Sequence, residues 1–118
     1  MKYGKQGYVP EVGDVVWVEF SPQAAREQAG RRPALVLSRR IYNEKASLAL
    51  MCPLTSQVKG YPFEVAVPPG SRFRGVILAD QIKSLDWQKR KAQRAGRIPP
   101  EVLDQVWKRI ATLIGLSV

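Results

Sequence analysis

The sequence predicts a mainly β domain with a C-terminal helix, folded as a small, strongly bent barrel or half-barrel that the helix caps. Five or six short apolar runs, bounded by Gly, Pro and Ser, predict the strands. A helical spacing of apolar residues follows Pro99 and Pro100. With 118 residues, the chain is expected to form one domain over residues 1–118, long enough to bury a core.

The strands are predicted in order from apolar and β-branched runs. Val15–Phe20 stands between Gly13-Asp14 and Ser21-Pro22 and predicts the first strand. Pro33–Ser38 and Leu48–Leu54 are continuously apolar, which is typical of strands covered on both faces. Three more strands are predicted at Pro62–Val67, Gly75–Ala79 and Gln81–Leu85.

Between these strands the sequence predicts connections. Residues 21–31 are polar and small without a sustained period, and such a long loop is often functional. Residues 39–46, RRIYNEKA, are expected to form a charged turn.

The C-terminal helix is predicted from EVLDQVWKRIATLIG, which follows Pro99-Pro100. Proline suits the first turn of a helix, Glu101 complements its N-terminal dipole, and Gly115 marks its end. The apolar residues at helical spacing are Leu103, Val106, Trp107, Ile110, Leu113 and Ile114.

The charge balance indicates a polyanionic partner. Nineteen Lys and Arg against ten Asp and Glu give a net charge of +9, which attracts nucleic acid, an acidic membrane surface or an acidic protein. Five of these cations stand in residues 89–97, KRKAQRAGR, without an anion. We expect this run to lie outside any buried element and to contribute general electrostatic attraction rather than a specific contact.

Several chemistries are excluded by absent residue types. The chain has no histidine, which excludes Ser-His-Asp triads, Cys-His dyads and His-ligated metal sites. The single cysteine, Cys52, lies in an apolar run and is expected to be a buried thiol in a reducing cytosol. No signal peptide and no run of about 18 apolar residues is found, so we expect a cytoplasmic protein without a membrane partner.

Two loops at strand ends carry residues suited to a phosphate ligand. EQAGRRP, residues 27–33, has two adjacent arginines, whose planar forks match phosphate oxygens. TSQVKGY, residues 55–61, adds two hydroxyls, an amide and a lysine directly after an apolar strand. On residue types alone, the two loops fit solvated corners and turns better than a site.

The motifs GDVVWVEF, EQAGRRPALVLS, CPLTSQVKGYPFEV and ADQIKSLDW resemble those of MazF/PemK-type endoribonuclease toxins of type II toxin–antitoxin systems. The resemblance runs from Gly13 to the C-terminal LIG in the same order and at consistent spacing. It implies an SH3-like barrel of the CcdB/MazF type that works as a homodimer. It further implies cleavage of single-stranded RNA (mRNA) with no metal or other cofactor, and inhibition by a MazE-like antitoxin with an acidic, disordered tail.

The family's functional residues carry over by position. Its catalytic arginine falls on Arg32, its catalytic hydroxyl on Thr55 and its loop glutamate on Glu27. Arg31 stands where the family varies, so a phosphate contact, a base contact and mere charge all stay open. The positions that line the family's RNA groove fall on Gln28, Ser56, Gln57, Lys59 and Gln81.

These residue types favour attack by the substrate's own 2′-hydroxyl, giving a 2′,3′-cyclic phosphate and a 5′-hydroxyl. Arg32 and Thr55 would stabilise the phosphorane. Arginine is a poor base, although it could protonate the leaving oxygen, and Glu27 is chemically the better base; the sequence leaves the base open.

Two other functions compete with an RNA-cleaving toxin. A CcdB-like gyrase poison would share the barrel without needing the two loops, and a non-catalytic RNA-binding barrel would satisfy the net charge.

The aromatic residues point mainly to packing. Trp17 and Trp107 are expected in the core or in a dimer interface, and Trp87 is expected to pack rather than to stack on a base. Tyr61 or Phe63, beside the second loop, could stack on an RNA base.

Overall fold

The computed structural model describes residues 7–20 and 31–116, which form seven strands and two helices. The first three strands and the helix between them are β1 (Asp14–Glu19), β2 (Arg31–Val36), α1 (Arg40–Ala46) and β3 (Ala49–Thr55). The remaining elements are β4 (Glu64–Ala66), β5 (Val76–Leu78), β6 (Lys83–Leu85), β7 (Gln93–Arg97) and α2 (Pro100–Leu113). The predicted class, mainly β with a C-terminal helix, is confirmed.

The strands pair antiparallel in the order β4-β5-β3-β2-β1-β7. The second edge of β3 is shared, because Ala49–Met51 pairs with β6 and Leu54–Thr55 pairs with β5. The register of β1 against β7 shifts between Val15 and Val16, and such a bulge bends a strand and increases its twist. The sheet therefore has a long central strand whose two halves serve different neighbours.

Two apolar clusters lie on the two faces of the central strands. Leu35 and Cys52 belong to one cluster, which also holds Val102, Val106 and Ile110 of α2. Val36 and Met51 belong to the other. Since neighbouring side chains of a strand point to opposite faces, β2 and β3 are covered on both sides. This confirms what their continuous apolar runs predict.

Helix α2 begins as the sequence predicts. Pro99 is its extended N-cap residue, Pro100 is its first residue and Glu101 lies in the first turn. Gly115 adopts a φ of +84° just after the end, a value that glycine accepts without a side-chain clash. Neither α1 nor α2 is long and apolar enough to cross a membrane.

The apolar face of α2 is only partly covered. Val106 and Ile110 are buried, whereas Leu113 and Ile114 are exposed and Trp107 is 40% exposed. Trp17 in β1 is 41% exposed. Neither tryptophan therefore belongs to the core of the single chain, and the dimer interface stays the open alternative for both.

Helix α1 replaces the charged turn that was expected at 39–46, so that prediction is wrong. The segment has no apolar face, and its one buried residue is Asn43. The Asn43 amide nitrogen donates to Pro10 O at 2.8 Å and to Ser38 O at 3.0 Å, while the Ser38 hydroxyl donates to Asn43 Oδ1 at 2.5 Å. Trp87 Nε1 donates to the Asn43 carbonyl at 3.0 Å. Polar contacts, rather than the burial of an apolar face, stabilise this helix.

The basic run 89–97 lies in no buried element, as expected, but it contains the largely exposed strand β7 and makes a specific contact with a buried carboxylate. Asp14 is 2% exposed and accepts from Arg97 Nη1 at 2.7 Å, with Arg94 Nε at 3.6 Å. The Tyr8 hydroxyl donates to the same carboxylate at 2.7 Å. Burial, together with this hydrogen bond, raises the pKa of Tyr8 well above its usual range. Part of the basic run is therefore structural.

The three later predicted strands are confirmed, and each is shorter than its predicted range and lies within it. The strand predicted at Pro62–Val67 is Glu64–Ala66, that at Gly75–Ala79 is Val76–Leu78, and that at Gln81–Leu85 is Lys83–Leu85. The predicted burial of Cys52 is confirmed, and burial, with a contribution from Asp80, raises the pKa of its thiol to about 12. Trp87 packs in the second cluster as predicted.

We expect Asn43→Ala to lower the free energy of unfolding by about 2–3 kcal/mol, because it leaves the hydroxyl of Ser38 and the carbonyl of Pro10 without their partner. Guanidinium chloride unfolding followed by circular dichroism measures the change. Gln105→Ala, on the exposed face of α2, is the control and should change stability by less than about 0.5 kcal/mol. Equal losses in the two variants would contradict a structural role for the Asn43 network.

Candidate functional site

The pairing of β2 with β3 brings Arg32 and Thr55 together. Ala34 pairs with Pro53 and Leu35 with Cys52. Arg32 stands two residues before Ala34 in β2 and Thr55 stands two residues after Pro53 in β3, so the paired segment leads both residues to the same end of the strand pair. The strand pair therefore brings a guanidinium and a hydroxyl to the same end of the sheet.

A groove with a volume of about 440 Å³ opens beside β1, at the start of β2 and at the end of β3. This volume is of the order that a small-molecule-sized ligand requires. We call it the arginine groove. It is lined by Trp17, Arg31, Arg32, Pro33, Leu54, Thr55, Ser56, Arg72, Phe73 and Arg74.

The arginine groove is strongly cationic. Four of its lining residues are arginines, and among its lining residues that the structure describes none is acidic. Like charges in a concave surface focus the field and attract an anion. The groove therefore suits a phosphate-bearing ligand.

The guanidinium of Arg31 is fixed by three acceptors. Its Nη2 donates to Trp17 O at 3.0 Å, to Lys91 O at 2.7 Å and to Gln93 Oε1 at 3.0 Å. These bonds tie β2 to the start of β7 beside the groove. They give Arg31 a structural role, and a contact with RNA stays a prediction for this residue.

A second, narrower groove of about 200 Å³ shares Thr55 with the first. We call it the polar groove, because amide, ammonium, phenol and carboxylate groups predominate. It is lined by Thr55, Gln57, Lys59, Tyr61, Glu64, Leu78, Asp80 and Gln81. Thr55 lies at the border of the two grooves, and an extended ligand that passes it can occupy both.

The loop after Thr55 is held by two side-chain acceptors. Thr55 Oγ1 accepts from the Gln57 amide at 3.1 Å, a local turn that fixes the hydroxyl. The Glu64 carboxylate accepts from the amides of Lys59 and Gly60, the latter at 2.9 Å. Lys59 Nζ lies 6.0 Å from the centre of the Tyr61 ring. The loop therefore presents its polar side chains from an ordered backbone.

Gly75 allows the close approach of the next strand to Thr55. Its φ is +92°, and a Cβ built there would lie 2.0 Å from Thr55 O and 2.7 Å from Ser56 Cα. Both are backbone atoms, which cannot swing away as a side chain would. Only glycine fits at this position without displacing Thr55.

The structure places every described residue of the predicted site at one of the two grooves. Arg31, Arg32 and Ser56 line the arginine groove, Gln57, Lys59 and Gln81 line the polar groove, and Thr55 lines both. Glu27 and Gln28 lie outside the described residues. Their roles, like those of the residues above, stay predictions.

Sequence reasoning missed Arg72 and Arg74, which line the arginine groove from the loop before β5. In the sequence they stand in PPGSRFRG, where two arginines flank one aromatic residue. This alternation could have indicated a loop anchored by its aromatic residue, with both cations turned the other way.

The metal-ligating residue types are dispersed. Within residues 7–20 and 31–116, no three His, Cys, Asp or Glu side chains gather where they could hold a metal ion. The arginine groove therefore offers a ligand guanidinium and hydroxyl groups, and the polar groove offers hydroxyl, amide, ammonium, phenol and carboxylate groups.

Comparison with known families gives a match over nearly the whole chain. The family described as PemK-like, MazF-like toxin of type II toxin–antitoxin system matches residues 11–114. The chain is 49% identical to the endoribonuclease toxin MazF of Escherichia coli (strain K12) over 108 residues, which cover 92% of this chain and 96% of that protein. It is 30% identical to the endoribonuclease PemK of Escherichia coli over 88% of this chain and 81% of that one.

Solved structures agree with this match. A chain in the crystal structure of MazE-MazF (Form-II) from Deinococcus radiodurans superposes with a TM-score of 0.86 at 49% identity, covering 93% of this chain and 99% of that one. A chain in the crystal structure of MazF (Form-I) from the same organism gives 0.85 at 49% identity, over 92% and 99%. The predicted CcdB/MazF type of fold is thereby confirmed.

We expect Gly75→Ala to lower the free energy of unfolding by at least about 2 kcal/mol more than Gly70→Ala does. Gly70 has a similar φ of +87°, but a Cβ there meets nothing within 4 Å. The pair therefore shares the backbone strain and differs in the clash with Thr55. Thermal melts measure stability, and amide chemical shifts of Thr55 and Ser56 should change only in Gly75→Ala. Identical behaviour of the two variants would show that Gly75 does not set the position of Thr55.

Proposed function

Because this chain belongs to the PemK-like, MazF-like toxins of type II toxin–antitoxin systems, it is an endoribonuclease toxin, and we propose that it cleaves single-stranded RNA at the border of its two grooves. The observation that carries the proposal is the position of Arg32 and Thr55. They line one cationic groove, at the end of the strand pair to which the β2–β3 register leads both chains.

The proposed reaction is an internal transfer of phosphorus. The 2′-oxygen of the nucleotide 5′ to the cut bonds to phosphorus, and the bond from phosphorus to the 5′-oxygen breaks. The 2′-hydroxyl proton passes to a base, and a proton joins the 5′-oxygen. The products are a 2′,3′-cyclic phosphate and a 5′-hydroxyl. The nucleophile is already tethered beside phosphorus, so the protein mainly orients it and stabilises charge.

Arg32 and Thr55 are the proposed donors to the phosphorane. A guanidinium offers planar N–H groups that match two oxygens of a phosphate. The Thr55 hydroxyl oxygen accepts a hydrogen bond from the main-chain N–H of Gln57 at 3.1 Å. This bond fixes the oxygen, and the hydroxyl proton of Thr55 can still be donated to a ligand. Donors held in place before the charge develops lower the barrier more than donors that must reorganise.

Two residues, Arg32 and Glu27, are candidates for the proton transfers, and the identity of the base stays open. Arg32 is a poor base because a guanidinium does not give up its proton in proteins under ordinary conditions, although it can hydrogen-bond to the leaving oxygen and help a proton reach it. Glu27 is the better base by chemistry, and it precedes Arg32 by five positions in the sequence. We propose no metal and no other cofactor, because 2′-hydroxyl attack needs no metal-activated water.

The polar groove is the proposed path for nucleotides on one side of the cut. Gln57 and Gln81 offer amides that can pair with base edges, and Lys59 offers a charge for a phosphate. Tyr61 is exposed beside them and can stack on a base, a contact worth about 1–3 kcal/mol. The proposed roles of Ser56 and Gln28 follow from the resemblance alone.

We propose a cognate MazE-like antitoxin with an acidic tail as the protein partner. Solved neighbours include MazE-MazF complexes from Deinococcus radiodurans, and the net charge of +9 favours an acidic ligand. The homodimer and the cytoplasmic location that the resemblance implies stay predictions.

We expect Arg32→Ala and Thr55→Ala each to slow RNA cleavage at least about a hundredfold, because each removes one donor to the phosphorane. Cleavage rates of a long single-stranded RNA are measured beside circular dichroism melts. Thr112→Ala on α2, whose hydroxyl bonds Lys108 O in its own helix, is the matched control and should cleave like wild type. A folded Arg32→Ala or Thr55→Ala protein with near-wild-type rates would remove that residue from the active site.

We expect 2′-deoxy substitution of the nucleotide 5′ to a mapped cut to abolish cleavage there, because the nucleophile is gone. Cuts elsewhere in the same RNA serve as the internal control, and EDTA should leave their rate unchanged. Mass spectrometry should show a 2′,3′-cyclic phosphate and a 5′-hydroxyl. A 5′-phosphate on the downstream fragment would overturn the mechanism. No cleavage of any RNA would instead favour the gyrase poison or the non-catalytic RNA-binding barrel.

A further inference from the structure

We propose that Arg72 and Arg74 form a second phosphate site in the arginine groove, which holds the RNA backbone next to the phosphate that is cut. The inference rests on the proposed function, since it adds a contact to the same RNA path. It concerns the loop of residues 68–75, which precedes β5 and which we call the RFR loop.

The RFR loop has an ordered backbone. Its base is closed where the Val67 amide donates to Gly75 O at 3.0 Å. The Ser71 amide donates to Pro68 O at 3.2 Å, and the Phe73 amide donates to Ser71 Oγ at 3.1 Å. A loop with such internal hydrogen bonds loses less conformational entropy when it binds a ligand than an open one would.

Phe73 anchors the loop between the two arginines. Its side chain is 9% exposed and belongs to the cluster that includes Val15 and Leu35. Two of its ring atoms lie 3.2 Å from where a Cβ of Gly96 would stand, so β7 leaves room for the ring by having glycine there. With Phe73 turned inward, Arg72 and Arg74 on either side of it are exposed and line the groove.

The charge of these two arginines is not balanced by any neighbour that the structure describes. Across residues 7–20 and 31–116, neither forms an ion pair or a side-chain hydrogen bond with another described residue. The Arg72 guanidinium lies 5.9 Å from the centre of the Phe73 ring, a contact that leaves its N–H groups able to donate. Arg94 and Arg97, by contrast, form ion pairs with the buried carboxylate of Asp14.

An RNA phosphate fits this pair better than an acidic peptide does. The pair shares one groove with Arg32 and Thr55, where the proposed reaction already requires a phosphate. The half-exposed Trp17 lines the same groove and adds apolar surface for a sugar or a base beside the charges. A nucleic-acid strand presents a regular series of phosphates separated by such groups, and the arginine fork matches them.

The binding experiment uses a short fluorescein-labelled oligonucleotide of mixed sequence in which every sugar is 2′-deoxy. Such a strand carries the phosphates and cannot be cut by the proposed reaction, and its dissociation constant is measured by anisotropy at several salt concentrations. We expect Arg72→Gln and Arg74→Gln each to raise that constant about 5–10-fold at low salt. Plotted against the logarithm of the salt concentration, the logarithm of the association constant falls as salt rises. Each variant should make this fall less steep by about 0.7, the value for one lost phosphate contact with a single strand.

Arg39→Gln is the charge-matched control. Arg39 is exposed and lines a separate groove with Glu11 and Glu44. The Arg39→Gln variant loses the same unit of charge, and it should change the dissociation constant of the oligonucleotide by less than about twofold. Arg72→Lys should fall between wild type and Arg72→Gln, because it keeps the charge and loses the fork. Circular dichroism melts identify any variant that fails to fold.

The outcomes separate this inference from the proposed function. Equal effects of Arg72→Gln, Arg74→Gln and Arg39→Gln would overturn it, even if the wild type cleaves RNA as proposed. Weaker binding of an Asp- and Glu-rich peptide, with oligonucleotide binding unchanged, would also overturn it and assign the pair to a protein partner. If the wild type fails to cleave RNA but the salt slopes fall as expected, the phosphate site stands and the proposed reaction fails.

Discussion

The antiparallel register of β2 against β3 is the constraint on which the candidate site depends. It pairs Leu35 with Cys52 in one apolar cluster and Val36 with Met51 in the other. A slip of one residue would exchange the faces of a whole strand and expel well-fitted side chains from both clusters at once. The same register brings Arg32 and Thr55 to one end of the strand pair, where both line the arginine groove. The core therefore fixes the geometry of two polar residues that themselves contribute little to it.

The parts of the fold that the sequence predicts well are those held by apolar burial. β1, β2, β3 and α2 follow from apolar runs or helical spacing, because burial of those residues is what stabilises them. α1 and β7 do not follow, because their key contacts are polar. Asn43 bonds to Pro10 and Ser38, and Asp14 gathers Arg94 and Arg97. Long-range pairs of this kind leave no periodic pattern in the sequence.

The candidate site divides in a similar way. Arg32 and Thr55 were predicted through the motifs that resemble a toxin family, whereas their residue types alone would have favoured ordinary turns. Arg72 belongs to no such motif. It reaches the groove because β5 pairs with β3 at Leu54 and Thr55 and Gly75 lets the strands meet closely. That proximity depends on the topology of the sheet, which the local sequence of the RFR loop does not contain.

The same structure shows why net charge alone is a poor measure of a ligand surface. The run 89–97 is the densest basic segment of the sequence, yet Arg94 and Arg97 contact Asp14 and Arg90 donates to Glu19 O. These cations serve the fold, because a buried carboxylate and a strand-end carbonyl require partners. Arg72 and Arg74 stand in a far less basic stretch and face an open groove. A cation contacts a ligand best through N–H groups that are not already bonded, so the proposed RNA contacts fall on the arginines beside Phe73 rather than on Arg94 and Arg97.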